Sequence, residues 1–244
     1  MAHGRATKSR SAPRPSPSTR RSPPTDPRSG APATIERDRA DPARQPIIFF
    51  GGTFDPPHLG HLAVVRALRE LTGFPVLVVP AGAPDHRPPP QATAAQRAEM
   101  VDLAVRTLAD PAVSVCRREV EWPGPTFTVD TVEWLGREQP ELTLILALGS
   151  DAAAGLPAWK RVRRLLGQVQ LLVFDRQGAE RNGPEVLAQL RRRGLPLAGA
   201  RAVTLAAPAV AAIEIRAQLA TGASCAHLLS PGVAAYIREH GLYQ

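Results

Sequence analysis

Six short segments composed almost wholly of apolar residues alternate with amphipathic segments from residue 46 to the end of the chain. Strands that are apolar on both faces are typical of a parallel sheet covered by helices on both sides. The alternation therefore predicts an α/β fold with a doubly wound parallel sheet. The predicted strands are 47–50, 75–79, 113–115, 142–148, 169–174 and 202–205.

The amphipathic segments predict the helices of this Rossmann-like sheet. Residues 58–71 carry apolar side chains at helical spacing, and Gly73 follows where a C-terminal glycine is expected. Thr93 and Gln96 have the spacing of a capping box, and Thr128 is predicted to cap a third helix. Further helical segments are predicted at 159–166, 184–193, 213–220 and 231–240.

The first 45 residues have a different composition. They hold ten Lys or Arg against four Asp or Glu, and eight of the 26 prolines, so they carry most of the net charge of +8. Such a segment cannot bury enough apolar surface to offset its ordering entropy. We therefore predict a disordered tail over 1–45 and one domain over 46–244.

Composition also excludes several classes of protein. No apolar run approaches the ~20 residues of a membrane-spanning helix, and the N-terminus lacks the apolar core of a signal peptide. Cys116 and Cys225 fit neither a disulfide framework nor a zinc module. The basic tail has no interleaved aromatic residues, which argues against nucleic acid as a partner. We expect a cytoplasmic protein, and its oligomeric state stays open, a homo-oligomer included.

Parallel sheets bind ligands at the carboxyl ends of their strands, which directs attention to the loop after the first strand. Gly51 and Gly52 are predicted to let a ligand approach the backbone. His58 and His61 are three residues apart and therefore share a helix face, with Gly60 predicted to leave space beside them. A helix start attracts anions, so the loop predicts a phosphate site. It reads Gly-Gly-Thr-Phe-Asp-Pro-Pro-His-Leu-Gly-His.

This loop is neither a Walker loop, since the Gly-Lys-Ser/Thr ending is missing, nor a GxGxxG fingerprint. It resembles the HxGH signature of the nucleotidylyltransferase superfamily and, within it, the bacterial nicotinate-mononucleotide adenylyltransferases. Further segments across 46–244 carry the same resemblance: His86-Arg87, Gln96-Arg97, Thr126-Phe127-Thr128, Gly149-Ser150-Asp151, Trp159, Ile215-Arg216, Tyr236-Ile237 and Gly241-Leu242-Tyr243.

The resemblance implies that the phosphate of nicotinate mononucleotide attacks the α-phosphorus of ATP, without a covalent enzyme intermediate. Such chemistry depends on alignment and charge neutralisation. The implied catalytic residues are His58, His61 and Arg216, and Mg²⁺ is expected on the ATP phosphates rather than in a metal site of protein ligands. The implied ATP-binding residues are Gly51, Gly52, Thr53, Phe54, His58, His61, Asp151 and Arg216, with Asp151 on the ribose.

Five residues are implied for the mononucleotide. Trp159 offers a face for the pyridine ring, and Thr128 with the backbone N–H of Lys160 is expected to bind the nicotinate carboxylate. His86 and Arg87 are expected to contact phosphates, and Lys160 offers a further phosphate contact. The alternatives are that Trp159 belongs to the core and that Thr128 is only a helix cap. Nearby, Arg161, Arg163 and Arg164 are predicted to form a solvated helix face.

The chain departs from the family in its second signature, roughly Ile-Ser-Ser/Ala-Thr-x-Ile-Arg. Here Ala211 and Ile213 replace hydroxyl residues, and Arg216 is retained. Each lost hydrogen bond to a charged phosphate costs about 1.5–3 kcal/mol, or roughly one to two decades in affinity or rate. We therefore expect impaired triphosphate binding. A catalytically weak nucleotide-binding paralogue, or an enzyme acting on nicotinamide mononucleotide or phosphopantetheine, remains an alternative.

Overall fold

The computed structural model describes residues 1–2, 44–83, 89–178 and 181–244. The chain divides into two units, Met1–Pro32 and Ala33–Gln244, and every described helix and strand belongs to the second. The tail predicted over 1–45 falls almost entirely outside the described residues, as do the predicted site residues His86 and Arg87. No helix in the described part of the chain is long and apolar enough to cross a membrane.

In the described part of the chain, six parallel strands form one sheet, in the order β3-β2-β1-β4-β5-β6. All six predicted strands are confirmed. Because β1 pairs with β2 on one side and with β4 on the other, the strand order reverses between β1 and β4, and a crevice opens at their carboxyl ends. The strands are β1 Gln45–Gly52, β2 Val76–Pro80, β3 Val113–Val115, β4 Leu142–Gly149, β5 Gln170–Asp175 and β6 Arg201–Thr204.

The helices alternate with the strands as the periodicity predicts, and two short helices, at Arg118–Glu121 and Ser150–Ala154, were not predicted. Gly73 ends α1 in the left-handed conformation, with φ of 69°. Thr93 and Gln96 form the predicted capping box of α2. The helices are α1 Leu59–Thr72, α2 Ala94–Arg106, α3 Arg118–Glu121, α4 Thr128–Glu138, α5 Ser150–Ala154, a 3₁₀ turn Leu156–Ala158, α6 Val162–Leu166, α7 Gly183–Arg192, α8 Ala212–Ala220 and α9 Pro231–Glu239.

One helix boundary differs from the prediction. Thr128 is the first residue of α4, Phe127 occupies the cap position, and no side-chain hydrogen bond caps this helix. The prediction that Thr128 caps the third helix is therefore wrong.

Apolar residues cover both faces of the sheet. Ile48 and Phe50 of β1 pack in a cluster with α1 and α2, whereas Phe49 between them packs with α4 and α7 on the other face. A third cluster joins α2, α8 and α9, with Met100 and Ile215 fully buried. Because successive residues of a strand point to opposite faces, this two-sided burial explains why the strands are apolar throughout.

Candidate functional site

An open cavity of about 570 Å³ lies at the carboxyl ends of β1, β4 and β5. Its lining includes every residue predicted for ATP, although those residues come from three separate parts of the chain. It also includes Arg176, which directly follows β5 and which the sequence reasoning missed. The predicted residues in the lining are Gly51, Gly52, Thr53, Phe54, His58, His61, Asp151 and Arg216.

The two histidines form a reciprocal cap at the start of α1. The backbone N–H of His61 donates to Nδ1 of His58 (3.3 Å), and the backbone N–H of His58 donates to Nδ1 of His61 (3.2 Å). The rings stack with centroids 3.6 Å apart. Because each Nδ1 accepts a hydrogen bond, the proton of each neutral ring resides on Nε2, and both rings retain an Nε2–H donor.

Burial keeps both imidazoles neutral. The pKa of His58, whose side chain is 3% exposed, falls from 6.5 to about 4 because burial disfavours the cation and Arg176 repels it. Burial also lowers the pKa of His61 well below 6.5, with smaller contributions from His58 and Arg176. At neutral pH the pair therefore offers hydrogen-bond donors, while arginine side chains supply the positive charge of the cavity.

Two glycines of the first loop have contacts that were not predicted, whereas the approach of a ligand to Gly51 and Gly52 stays a prediction. A Cβ on Gly52 would stand 2.9 Å from the Phe54 ring, and a Cβ on Gly60 would stand 3.0 Å from both Nδ1 of His58 and Cβ of Val210. These positions make room for the protein's own side chains. The space predicted beside Gly60 is occupied, and it is where α1 meets the segment that leads into α8.

Hydrogen bonds to Asp55 connect this loop to three other parts of the molecule. Its carboxylate accepts hydrogen bonds from the backbone N–H groups of Gln91 and Ala92 and from the Tyr243 hydroxyl, at 2.9, 3.1 and 2.8 Å. Its backbone carbonyl accepts from Nη1 of Arg216 at 2.7 Å, and the same nitrogen is 3.8 Å from the carboxylate. The C-terminus and α8 are thus held against the loop that carries the histidines.

Arg97 joins the loops that follow β1 and β2. Its guanidinium, buried with only 1% exposure, donates to the carbonyls of Thr53 and Gly82, both at 2.6 Å. The resemblance included Arg97 and Tyr243 as matching positions but gave neither a role. Only the folded chain shows that both cross-link the loops around the cavity.

The start of α8 reaches the same cavity without a side-chain cap. Ala211 occupies the cap position and makes no side-chain hydrogen bond, while Ala212 and Ile213 line the cavity. Ile213 is 67% exposed. The amide groups of a helix start with no side-chain cap remain free to bind anions.

Asp151 lies in α5, two residues after the end of β4, and lines the cavity. Its Oδ1 is 3.6 Å from Nε of Arg181. This position is open to a ribose, and the role predicted for Asp151 stays a prediction.

The described residues predicted for the mononucleotide lie elsewhere. Thr128 begins α4, and Trp159 is half-buried against the apolar cluster on the α4 and α7 face. Nζ of Lys160 lies 3.7 Å from the centre of the Phe127 ring, a cation–π contact. None of the three lines the cavity that holds the predicted ATP residues.

The arginines near Lys160, Arg161, Arg163 and Arg164, are exposed, as predicted for a solvated face, and two of them also form ion pairs. Arg161 pairs with Asp130 and, at 3.8 Å, with Glu133, and Arg164 also pairs with Glu133. These ion pairs join the segment around α6 to α4, so the loop bearing Trp159 and Lys160 is held next to the start of α4.

The parallel sheet, the crevice at its strand reversal and the paired neutral histidines at a helix start together define a phosphate-binding α/β protein of the nucleotide-binding type. Residues 49–218 match the cytidylyltransferase-like family model. Relatives include probable nicotinate-nucleotide adenylyltransferases from Sodalis glossinidius, 39% identical over 80% of this chain and 96% of the relative, and from Laribacter hongkongensis, 40% identical over 82% and 96%.

Solved structures agree on the fold. Nicotinic acid mononucleotide adenylyltransferase of Plasmodium falciparum, complexed with NaAD, superposes with a TM-score of 0.63 at 16% identity, over 82% of this chain and 98% of that one. A putative nicotinate-nucleotide adenylyltransferase from Vibrio parahaemolyticus gives 0.55 at 17%, over 82% and 95%. The chain therefore belongs to the cytidylyltransferase-like family and, within it, to the bacterial nicotinate-nucleotide adenylyltransferases.

Proposed function

We propose that this protein transfers the adenylyl group of ATP to nicotinate mononucleotide, giving nicotinate adenine dinucleotide and pyrophosphate. The relatives named above support this reaction. The observation that carries the proposal is the pair of neutral imidazoles, His58 and His61, at a helix start that lines a cavity of nucleotide size. Each Nδ1 accepts a backbone hydrogen bond, so each ring keeps its Nε2–H as a donor. Such a site binds phosphate through donors of fixed direction.

The reaction needs alignment more than a reactive side chain. The second pKa of a phosphate monoester is near 6, so the acceptor phosphate is already a nucleophile at neutral pH and needs no general base. Fixed donors that meet the charge growing on the α-phosphoryl oxygens lower the barrier. His58 and His61 supply such donors, and the start of α8 with Arg216 faces the departing pyrophosphate.

We propose that Mg²⁺ enters with the ATP phosphates and offsets their charge. Among the described residues, the carboxylates that line the cavity are Asp55, which accepts three hydrogen bonds, and Asp151, which is near Arg181. Among the described residues no group of three or more His, Cys, Asp or Glu could hold a metal ion. These residues fit a cation that the substrate carries.

For the acceptor we propose that Trp159 stacks on the pyridine ring and that Thr128 with the Lys160 backbone binds the carboxylate. Their common support is the set of ion pairs between α4 and the α6 segment, which holds the two elements side by side. His86 and Arg87 are proposed for the phosphate on the sequence resemblance alone. The substrates and product of this reaction are soluble, in keeping with a cytoplasmic enzyme.

The proposal is tested by pyrophosphate release from ATP and Mg²⁺ with nicotinate or nicotinamide mononucleotide as acceptor. We expect turnover with nicotinate mononucleotide. Preference for the nicotinamide compound would change the acceptor. No turnover with either, together with measurable ATP binding, would refute the enzyme and favour a nucleotide-binding paralogue.

A further inference from the structure

Two helix starts and one arginine meet on the same wall of the cavity. α1 and α8 approach so closely that a Cβ on Gly60 would stand 3.0 Å from Cβ of Val210. Arg176 lies beside this junction, and its Nη1 is 3.5 Å from the carbonyl oxygen of Val210. All three parts line the cavity, and the positive ends of two helix dipoles are added to one guanidinium there.

Among the described residues, two arginines line the cavity, and they differ in their existing contacts with carboxylate and carbonyl oxygens. Arg216 donates to the Asp55 carbonyl at 2.7 Å and lies 3.8 Å from the Asp55 carboxylate. Within the described part of the chain, Arg176 has no carboxylate at ion-pair distance, and its contact with Val210 is at the long limit for a hydrogen bond. Arg176 is therefore the cation that an incoming anion can engage with little loss of existing contacts.

A guanidinium suits phosphate because its planar fork donates two parallel hydrogen bonds. Arg176 is half-buried, so water screens its charge less than that of a fully exposed side chain. The electrostatic effect of its charge reaches both His58 and His61, since it disfavours protonation of each ring. The guanidinium and the two Nε2–H donors thus act on the same space.

We propose that Arg176 binds the phosphate chain of the nucleotide between the histidine pair and the start of α8, and supplies part of the binding that Ala211 and Ile213 cannot supply. This inference rests on the proposed function for the identity of the nucleotide. It assigns a phosphate contact to a residue that follows β5, in addition to His58, His61 and Arg216.

The test compares Arg176→Ala and Arg176→Lys with Arg66→Ala, which removes an exposed arginine of α1 outside the cavity lining. Equilibrium binding of MgATP and of adenosine is measured for each variant, with turnover in parallel. We expect Arg176→Ala to weaken MgATP binding at least tenfold and to leave adenosine binding unchanged. Arg176→Lys should recover part of the loss, and Arg66→Ala should match the unmodified protein.

Unchanged MgATP affinity in Arg176→Ala would overturn the inference, and so would an equal loss of adenosine affinity, because that pattern would indicate a structural role. These outcomes do not depend on turnover. If the unmodified protein binds MgATP but adenylylates neither mononucleotide, the proposed function fails while the assignment of Arg176 is still decided by binding. A second check combines Arg176→Ala with Ala211→Ser and Ile213→Thr, which should recover MgATP affinity.

Discussion

The starts of α1 and α8 face the same cavity, but they present opposite kinds of anion-binding groups. At α1 the two histidine side chains accept hydrogen bonds from backbone amides at Nδ1 and keep Nε2–H as a donor. At α8 the cap residue is Ala211, no side chain caps the helix, and the amides themselves remain as donors. Recognition at the first start is thus built from side chains, whereas at the second it is built from the backbone and neighbouring arginines.

This difference has a chemical consequence. An imidazole donor has a fixed direction and can be placed against a single oxygen. This suits the α-phosphoryl group, where one bond forms and another breaks. Backbone amides and guanidinium groups spread positive charge over a wider volume, which suits a flexible chain of phosphates. We therefore expect side-chain changes at α1 to act mainly on turnover and those around α8 mainly on nucleotide affinity.

The largest effect is expected for His61→Ala. Loss of one fixed donor to a developing charge lowers kcat by roughly 10²–10³-fold, and the pyrophosphate-release assay measures it. Loss of the Nδ1 acceptor also weakens the cap by about 1 kcal/mol, which thermal unfolding reports separately. The matched control is His227→Ala, an exposed histidine that does not line the cavity. Turnover retained in His61→Ala would show that His61, at the start of α1, does not take part in the reaction.

The second largest effect is expected in how the free energy of unfolding depends on pH. Of the two helix starts only α1 should contribute through its cap residue, because the cap position of α8 carries no titratable group. The pKa of His58 is about 4 in the folded protein against 6.5 ordinarily, so the unfolded chain binds the proton more tightly. Stability from this residue is complete above pH 6.5 and is lost as pH falls toward 4, for a total of about 3 kcal/mol. Urea unfolding between pH 7 and pH 5 measures the loss.

His58→Asn provides the control for this prediction. Asparagine is a good N-cap acceptor but does not titrate, so the variant should be less sensitive to acid than the parent. An identical decline in both proteins would show that other groups cause the acid sensitivity, and the neutral histidine cap would then need another explanation.

The contrast between the two helix starts also explains which parts of the fold and the site were predictable from the sequence. The residues of the α1 site lie in one continuous string directly after a strand, so the loop and its helix were predictable from local pattern, and their phosphate role stays a prediction. Six strands were predictable for the same reason, because burial on both faces leaves a contiguous apolar run. Thr128 was misassigned because a threonine preceding a helix pattern looks the same whether it occupies the cap or the first helical position.

The remaining site residues depend on distant contacts. Arg97 and Tyr243 gain their roles from carbonyl and carboxylate partners that are 44 and 188 residues away in sequence. Arg176 could have been predicted from the sequence, because it directly follows β5 and the carboxyl end of each parallel strand is a candidate site. The sequence prediction used that rule for the loop after the first strand and not for the residues after β5. No local pattern, by contrast, reports that Arg161 and Arg164 pair with α4.

Restoring the missing hydroxyl groups tests whether the start of α8 contacts the triphosphate. Ala211→Ser with Ile213→Thr adds a side-chain cap and two donors to phosphate, so the KM for ATP should fall by roughly tenfold or more, with a small change in kcat. Steady-state kinetics at varied ATP separates the two constants. The control is Ala223→Ser, an exposed alanine outside the cavity. An unchanged KM would mean that the start of α8 does not contact the triphosphate.

The smallest effect is expected where the two helix starts are held together. Tyr243→Phe removes the hydroxyl that donates to Asp55 at 2.8 Å, and Asp55 in turn accepts from Arg216 of α8 through its carbonyl. We expect a loss of about 1.5 kcal/mol in the free energy of unfolding, because a buried carboxylate loses a donor. The KM for ATP should rise a few-fold, since Arg216 is less firmly placed. Tyr236→Phe, which changes the other tyrosine near the C-terminus, is the matched control. If both variants behave alike, Asp55 does not couple α1 to α8, and each helix start binds phosphate independently.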